Sequence, residues 1–236
     1  MRERLFWPAL CGALALAVAV AAGADGWAPL VAFGLAGFAA GSALRQLALA
    51  TRRQGWRGLM GRANGGMIVH LGVIVVAVAL VASNAYTKSA EITLQAGEPV
   101  TWQGHTFELV DITSEQTERA NIVRANVRLD DGKVFGPAIT TYLRMGVPIG
   151  TPSVRSGLTG DVYLTIAGNR PPDVAGSEVH LEVFLKPLII WLWIGGLMMA
   201  LGTLFAAFPG NRRRRPIDPV SAPLPEAVHA EEVPVG

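Results

Sequence analysis

One histidine, His70, stands in the run GGMIVHLGVIVVAVALVASN at residues 65–84, among aliphatic and small side chains suited to a bilayer interior. An ionisable group in such a position is costly in hydrocarbon and marks a functional site by default. Kept neutral, an imidazole binds a metal through one nitrogen while the other donates a hydrogen bond, and histidine is the commonest haem ligand that a membrane helix can carry uncharged. The plainer reading gives His70 only a hydrogen bond to a neighbouring helix or a path towards headgroups, since it stands about 6 Å along the helix from Gly66. Residue chemistry alone leaves both readings open.

The other candidate residues are scattered. His105 and His180 fall on alternating segments outside the apolar runs, and no further histidine, cysteine or carboxylate cluster gives either a metal-ligand spacing, so both read as surface histidines. His229 belongs to a polar tail and reads as solvated. The single cysteine, Cys11, excludes a disulfide, a Cys-x-x-Cys redox pair, a zinc cluster or a Cys-x-x-Cys-His haem attachment within the chain, and reads as a small apolar helix residue. Neither a nucleophile motif nor a paired acid–base constellation is recognisable, so no catalytic residue is assigned. The stretch TYLRMGVPIGTPSVRSGLTGD, with Arg144 and Arg155 set among glycines and prolines, is either a recognition loop or a long solvated connection.

These residues must be positioned by a membrane protein. Of 236 residues, 51% are hydrophobic and 16% charged, and the mean hydropathy is +0.38. Net charge is only +2 and the basic residues lie in short clusters beside apolar runs, which argues for membrane topology and against a nucleic-acid partner. A bilayer core requires about 20 apolar residues in a helix. Four segments approach that length: residues 5–22, 28–50 (apolar as far as Leu44), 66–83 and 188–208. The first also has the make-up of a signal peptide, with MRER before it and the small-residue sequence AVAAGADG at its end. Arg2 and Arg4 precede the first span; Arg45, Arg52, Arg53, Arg57 and Arg62 crowd the connection from second to third; Arg212 to Arg215 follow the fourth. The positive-inside rule then places all three clusters and both termini in the cytoplasm.

The expected organisation is an α-helical membrane protein with four transmembrane helices and an extracytoplasmic antiparallel β domain between helices 3 and 4. Two helices occupy 1–50 and a basic cytoplasmic loop 51–65; the helix with His70 is 66–83, the β domain 84–186 and the last helix 187–208, before a disordered cytoplasmic tail, 209–236, rich in proline, alanine and acidic residues. In the β domain, ANVRLDDGKVF sets Ala125, Val127 and Leu129 on one side and Asn126 and Arg128 on the other before an Asp-Gly turn, the pattern of a hairpin. EITL, HTFELVDI, DVYLTI and EVHLEVFL read as further short strands of a small sandwich or barrel.

The order of GRANGGMIVHLGVIVVAVALVASNAY, SGLTGDVYLTIAG and VFLKPLIIWLWIGGLMMALGTLFA resembles the C-terminal part of the cytochrome c biogenesis haem lyase CcmF family, over about residues 60–208. A Lys-Pro, Trp-x-Trp-x-Gly, Met-x-x-Gly pattern of that family is matched by Lys186, Pro187, Trp191, Trp193, Gly195, Met199 and Gly202. The resemblance implies a bacterial inner-membrane machine that passes haem from the chaperone CcmE to apocytochrome c, with an internal haem b held between two membrane histidines and fed by quinol. His70 stands where the second of those histidines belongs, as an axial ligand of the haem iron, and Gly66 and Gly72 would let a porphyrin or another helix come close. The family's tryptophan-rich W-G-x-x-W-x-W-D segment, its outer histidine pair and its first membrane histidine have no counterpart here. The expectation is therefore a split haem lyase, this chain being its C-terminal subunit and sharing haem b with a tryptophan-rich N-terminal subunit. The alternative is a membrane-anchored assembly factor whose β domain binds a partner, without haem of its own. Trp191 and Trp193 read as interfacial belt residues.

Overall fold

The computed structural model describes residues 2–130, 132–174 and 178–207. Helix α1 (Arg2–Ala21) and helix α2 (Trp27–Gln54) form an antiparallel pair whose contact is lined with small residues. A side chain on Gly41 would place its Cβ 2.7 Å from that of Cys11, so Cys11 acts as a packing residue. Helix α2 does not stop where its apolar part does: Arg45 to Gln54 continue it for almost three turns, because leucine, arginine, glutamine and alanine are all strong helix formers. A short 3-10 turn, Gly55–Leu59, then reverses the chain into α3 (Arg62–Tyr86). The stretch expected as a loop, 51–65, is thus helical except at Met60 and Gly61. Three helical segments, Trp27–Leu59, Asn64–Tyr86 and Ile190–Ala207, are long and apolar enough to cross a membrane, whereas the apolar part of α1, Leu5–Ala21, is shorter. The tail 209–236, with His229 and Arg212 to Arg215, lies outside the described residues.

Helix α3 packs against α4 (Ile190–Ala207) along a seam that only glycine permits. A Cβ on Gly72 would lie 2.7 Å from the Gly195 carbonyl oxygen, and one on Gly202 would lie 2.7 Å from the Val69 backbone nitrogen. Gly65, Val69, Gly72 and Val76 recur at four- and three-residue intervals, so they line one face of α3. Near-contact of the two backbones maximises dispersion where lipid offers no hydrophobic driving force for association. The Gly61 N–H donates to the Phe205 carbonyl, 3.0 Å, and ties the end of this seam furthest from the β domain.

Between α3 and α4 the chain builds two antiparallel sheets. The first has the order β1 (Lys88–Gln95), β10 (Glu178–Pro187), β9 (Gly160–Ile166), β8 (Ser153–Arg155). The second runs β2 (Val100–Trp102), β3 (His105–Gln116), β4 (Ala120–Leu129), β6 (Ala138–Tyr142), β7 (Pro148–Thr151), and the two-residue β5 (Val134–Phe135) also pairs with β4. Their inner faces meet over Leu94, Phe107, Val127, Ile139, Leu164 and Leu181, all essentially excluded from solvent. Ala125, Val127 and Leu129 face this core, as their alternation predicts. The stretch expected as a recognition loop or solvated connection is neither: it contains the end of β6, then β7 and β8, and passes from one sheet to the other.

Candidate functional site

His70 lies on α3 opposite the seam. Two residues of helix turn a side chain through about 200°, so Gly72 and His70 face opposite ways although they are almost adjacent in sequence. Gly72 is therefore occupied by α4 and offers no room to a porphyrin; of the two approaches expected at these glycines, Gly72 takes that of another helix. Gly66 is open: a Cβ there would meet nothing within 4 Å. Gly66, His70, Val73, Ala77, Leu80 and Asn84 follow one another at alternating four- and three-residue steps, the spacing of one helix face, and all but the half-buried Gly66 are exposed. Tyr86 marks the β-domain end of α3, its hydroxyl donating to the Asp25 carbonyl at 2.7 Å, and His70 stands about 24 Å from it along the axis. Among the described residues His70 has no hydrogen-bond or ion-pair partner. The imidazole is exposed and turned away from the α3–α4 seam, with neither nitrogen bonded among the described residues.

The β domain holds a second cluster that the linear sequence conceals. His105 Nδ1 faces Asp130 Oδ2 at 2.8 Å, the Thr106 N–H donates to Asp130 Oδ1 at 2.8 Å, and Arg155 pairs with the same carboxylate. His105 begins β3, Asp130 follows β4 and Arg155 ends β8, so the carboxylate clasps the two sheets together. The expectation of no paired acid–base constellation thus misses a histidine–aspartate pair. Its signal in sequence is slight: Asp130 is the first of the two aspartates of a turn, and it adopts a left-handed backbone, φ +53°, that aspartate tolerates better than most residues. Burial alone would raise the carboxyl of Asp130, but hydrogen bonds from His105, the Thr106 N–H and Arg155 prevail and lower it from 3.8 to about 2.

A folded-state value below the unfolded one means that this carboxylate stabilises the domain above about pH 4, and that the contribution is lost as pH falls through about 2. Asp130→Asn is expected to lower the stability of the β domain by on the order of 1 kcal/mol near neutral pH, a figure kept small for solvent screening. Thermal unfolding of the variant and the parent should converge at about pH 2, and a gap independent of pH would contradict the assignment.

His180 is exposed, bonds Thr93 Oγ1 through Nδ1 at 2.8 Å and lies 3.5 Å from Glu178, a cross-strand surface arrangement. Trp193 is largely exposed at the start of α4, while the indole of Trp191 donates to the Leu158 carbonyl at 2.9 Å and fixes the loop before β9 to the helix. Among the described residues, no three histidine, cysteine, aspartate or glutamate side chains converge as a metal site.

Fold and site together define a membrane protein that carries a two-sheet β domain on a glycine-packed helix pair and offers one bare imidazole to whatever lies against its free face. No protein-family model matches the chain. It is 30% identical over 218 residues to the cytochrome c-type biogenesis protein CcmF of Pseudomonas fluorescens, which covers 88% of this chain and 32% of that relative. It is 27% identical to CcmF of Escherichia coli strain K12 (70% of this chain, 25% of the relative) and 27% identical to the cytochrome c-type biogenesis protein NrfE of Haemophilus influenzae (72% and 26%). A solved structure described as cytochrome c haem lyase CcmF shares the fold, with a TM-score of 0.70 at 22% identity, covering 87% of this chain and 34% of that one. The chain belongs to the CcmF family and corresponds to the C-terminal part of its members. It spans about a third of the length of the first of these relatives.

Proposed function

We propose that the chain is the C-terminal subunit of a cytochrome c biogenesis haem lyase, in which His70 is one axial ligand of a membrane haem b and the β domain docks partners during haem transfer to apocytochrome c. The observation that carries this reading is the free face of α3, where an imidazole without a partner among the described residues stands beside Gly66, Val73 and Ala77. These residues fit half of a bis-histidine site: the open Gly66 leaves space for a flat ring, Val73 and Ala77 exclude water, and His70 presents a neutral nitrogen. When bound, the haem would supply an electron for reducing the transferred haem, taken from quinol as the family resemblance implies. One histidine fills one axial position, so the other ligand comes from the tryptophan-rich N-terminal subunit, which would also carry the site for haem delivered by the chaperone CcmE.

The chain alone is expected to bind little haem, and co-expression with a tryptophan-rich partner should yield a low-spin spectrum. A purified complex that supports maturation but contains no haem b would favour the membrane-anchored assembly factor instead.

The proposed topology has four spans, counting α1, in the bacterial inner membrane, with both termini cytoplasmic and residues 84–186 outside. Arg45, Arg52, Arg53, Arg57 and Arg62, clustered where α2 turns into α3, support this orientation. Alkaline phosphatase fused after Gly132 should be active and the same enzyme fused to the C-terminal tail inactive; the reverse pattern would invert the arrangement.

A further inference from the structure

At the end of the helices far from the β domain, α2 and the start of α3 enclose a groove of about 330 Å³. Arg45 and Arg53 lie two turns apart on the same face of α2, Leu49 between them forms an apolar floor, and Gln46, Gln54 and Asn64 complete the walls. The Asn64 amide donates to the Gly58 carbonyl at 2.6 Å, which holds the back of the groove in place. No acidic residue lines it, and among the described residues neither Arg45 nor Arg53 has an ion-pair or hydrogen-bond partner. Two guanidinium groups, ten N–H donors in all, are therefore committed to nothing in the chain.

Depth along the helix names the ligand. Trp27, the first residue of α2 and 82% exposed, stands level with the Tyr86 end of α3, because Tyr86 bonds Asp25. From Trp27, Arg45 is about 27 Å and Arg53 about 39 Å along the axis. A hydrocarbon core about 30 Å thick, or about 40–45 Å with its headgroups, then puts Arg45 at the inner edge of the hydrocarbon and Arg53 in the headgroup layer of the leaflet opposite the β domain. Trp56, 81% exposed on the 3-10 turn, stands at the same level, as suits an interfacial aromatic.

We infer that this groove binds the phosphodiester of an anionic phospholipid, held between Arg45 and Arg53 with the glutamine amides completing its hydrogen bonds and an acyl chain leaving over Leu49. Guanidinium forks match phosphate oxygens in pairs, and at the hydrocarbon edge the attraction is screened far less than in water. A basic stretch that served orientation alone would act through total charge, whereas here two of the arginines share a walled groove.

The test uses the full chain with its co-purifying partners, reconstituted in nanodiscs of equal phosphatidylglycerol and phosphatidylcholine, and native mass spectrometry of the lipid retained on extraction. The parent protein should retain phosphatidylglycerol over phosphatidylcholine on the order of tenfold. Arg45→Gln with Arg53→Gln should abolish that preference, while Arg52→Gln with Arg57→Gln, the same change in charge outside the groove, should leave it. Equal loss in both pairs would show a diffuse charge effect and overturn the inference. Displacement of the lipid by inorganic phosphate would identify a soluble anion as the ligand, and a cross-link from an acidic partner segment to the groove would identify a protein; either result overturns it.

Discussion

His70→Ala is expected to abolish the low-spin haem b spectrum of the complex and, with it, cytochrome c maturation. Alanine leaves the α3–α4 seam untouched, because His70 faces away from Gly72 and has no partner to lose among the described residues, so the variant should assemble normally. Adding imidazole to the variant should restore part of the spectrum if the cavity left by the side chain admits it. His105→Ala and His180→Ala serve as controls, since both lie in the β domain; the first breaks the clasp at Asp130 and the second only a cross-strand contact. An unaltered spectrum at full occupancy in His70→Ala would reduce His70 to a helix-packing residue and remove the haem assignment from this chain.

The second large effect separates the two faces of the same helix. Gly72→Leu forces a side chain into the Gly195 carbonyl and the Met199 backbone nitrogen, which would be 2.7 and 2.9 Å from its Cβ. Backbone cannot yield as a flexible side chain does, so the cost should reach about 3 kcal/mol, at the upper end of overpacking. The α3–α4 pair should loosen, and the melting temperature and protease resistance of the chain should fall. A Cβ at Gly66 meets nothing within 4 Å, so Gly66→Leu should leave both unchanged. By the proposed function it should nevertheless block the approach of the partner helix and reduce haem content. If Gly66→Leu retained full haem while Gly72→Leu unfolded the chain, the free face of α3 would be a lipid surface.

The long apolar runs and the alternating strands were legible in sequence because each displays its own period. β1, β3, β4, β9 and β10 carry that alternation in at least four consecutive positions, and their burial follows it. β7 and β8 were not legible: they hold four and three residues, and β7 includes both proline and glycine. The clasp around Asp130 was hidden for a different reason. His105 and Arg155 each lie 25 positions from Asp130, and only the pairing of β3 with β4 and the crossing to β8 bring them together. His70 itself was evident as a polar residue in an apolar run. Its direction was not read, although the recurrence of Gly65 and Gly72 seven residues apart marks the tightly packed side and therefore implies which side is free.

The junctions between membrane helices and β domain are short enough to have a mechanical meaning. Only Thr87 separates α3 from β1, and only Leu188 and Ile189 separate β10 from α4. β1 and β10 are hydrogen-bonded neighbours, with Lys88 opposite Leu185, so the ladder of the sheet continues directly into the paired helices. At the second junction the Leu188 N–H donates to the Thr159 carbonyl at 3.2 Å and Trp191 donates to Leu158, which braces the bend from the side. Sheet and helix pair are thus joined with one residue at the first junction and two at the second. If a partner seats on the β domain as proposed, these short junctions would pass its load to α3 as a tilt and so change the direction of the imidazole.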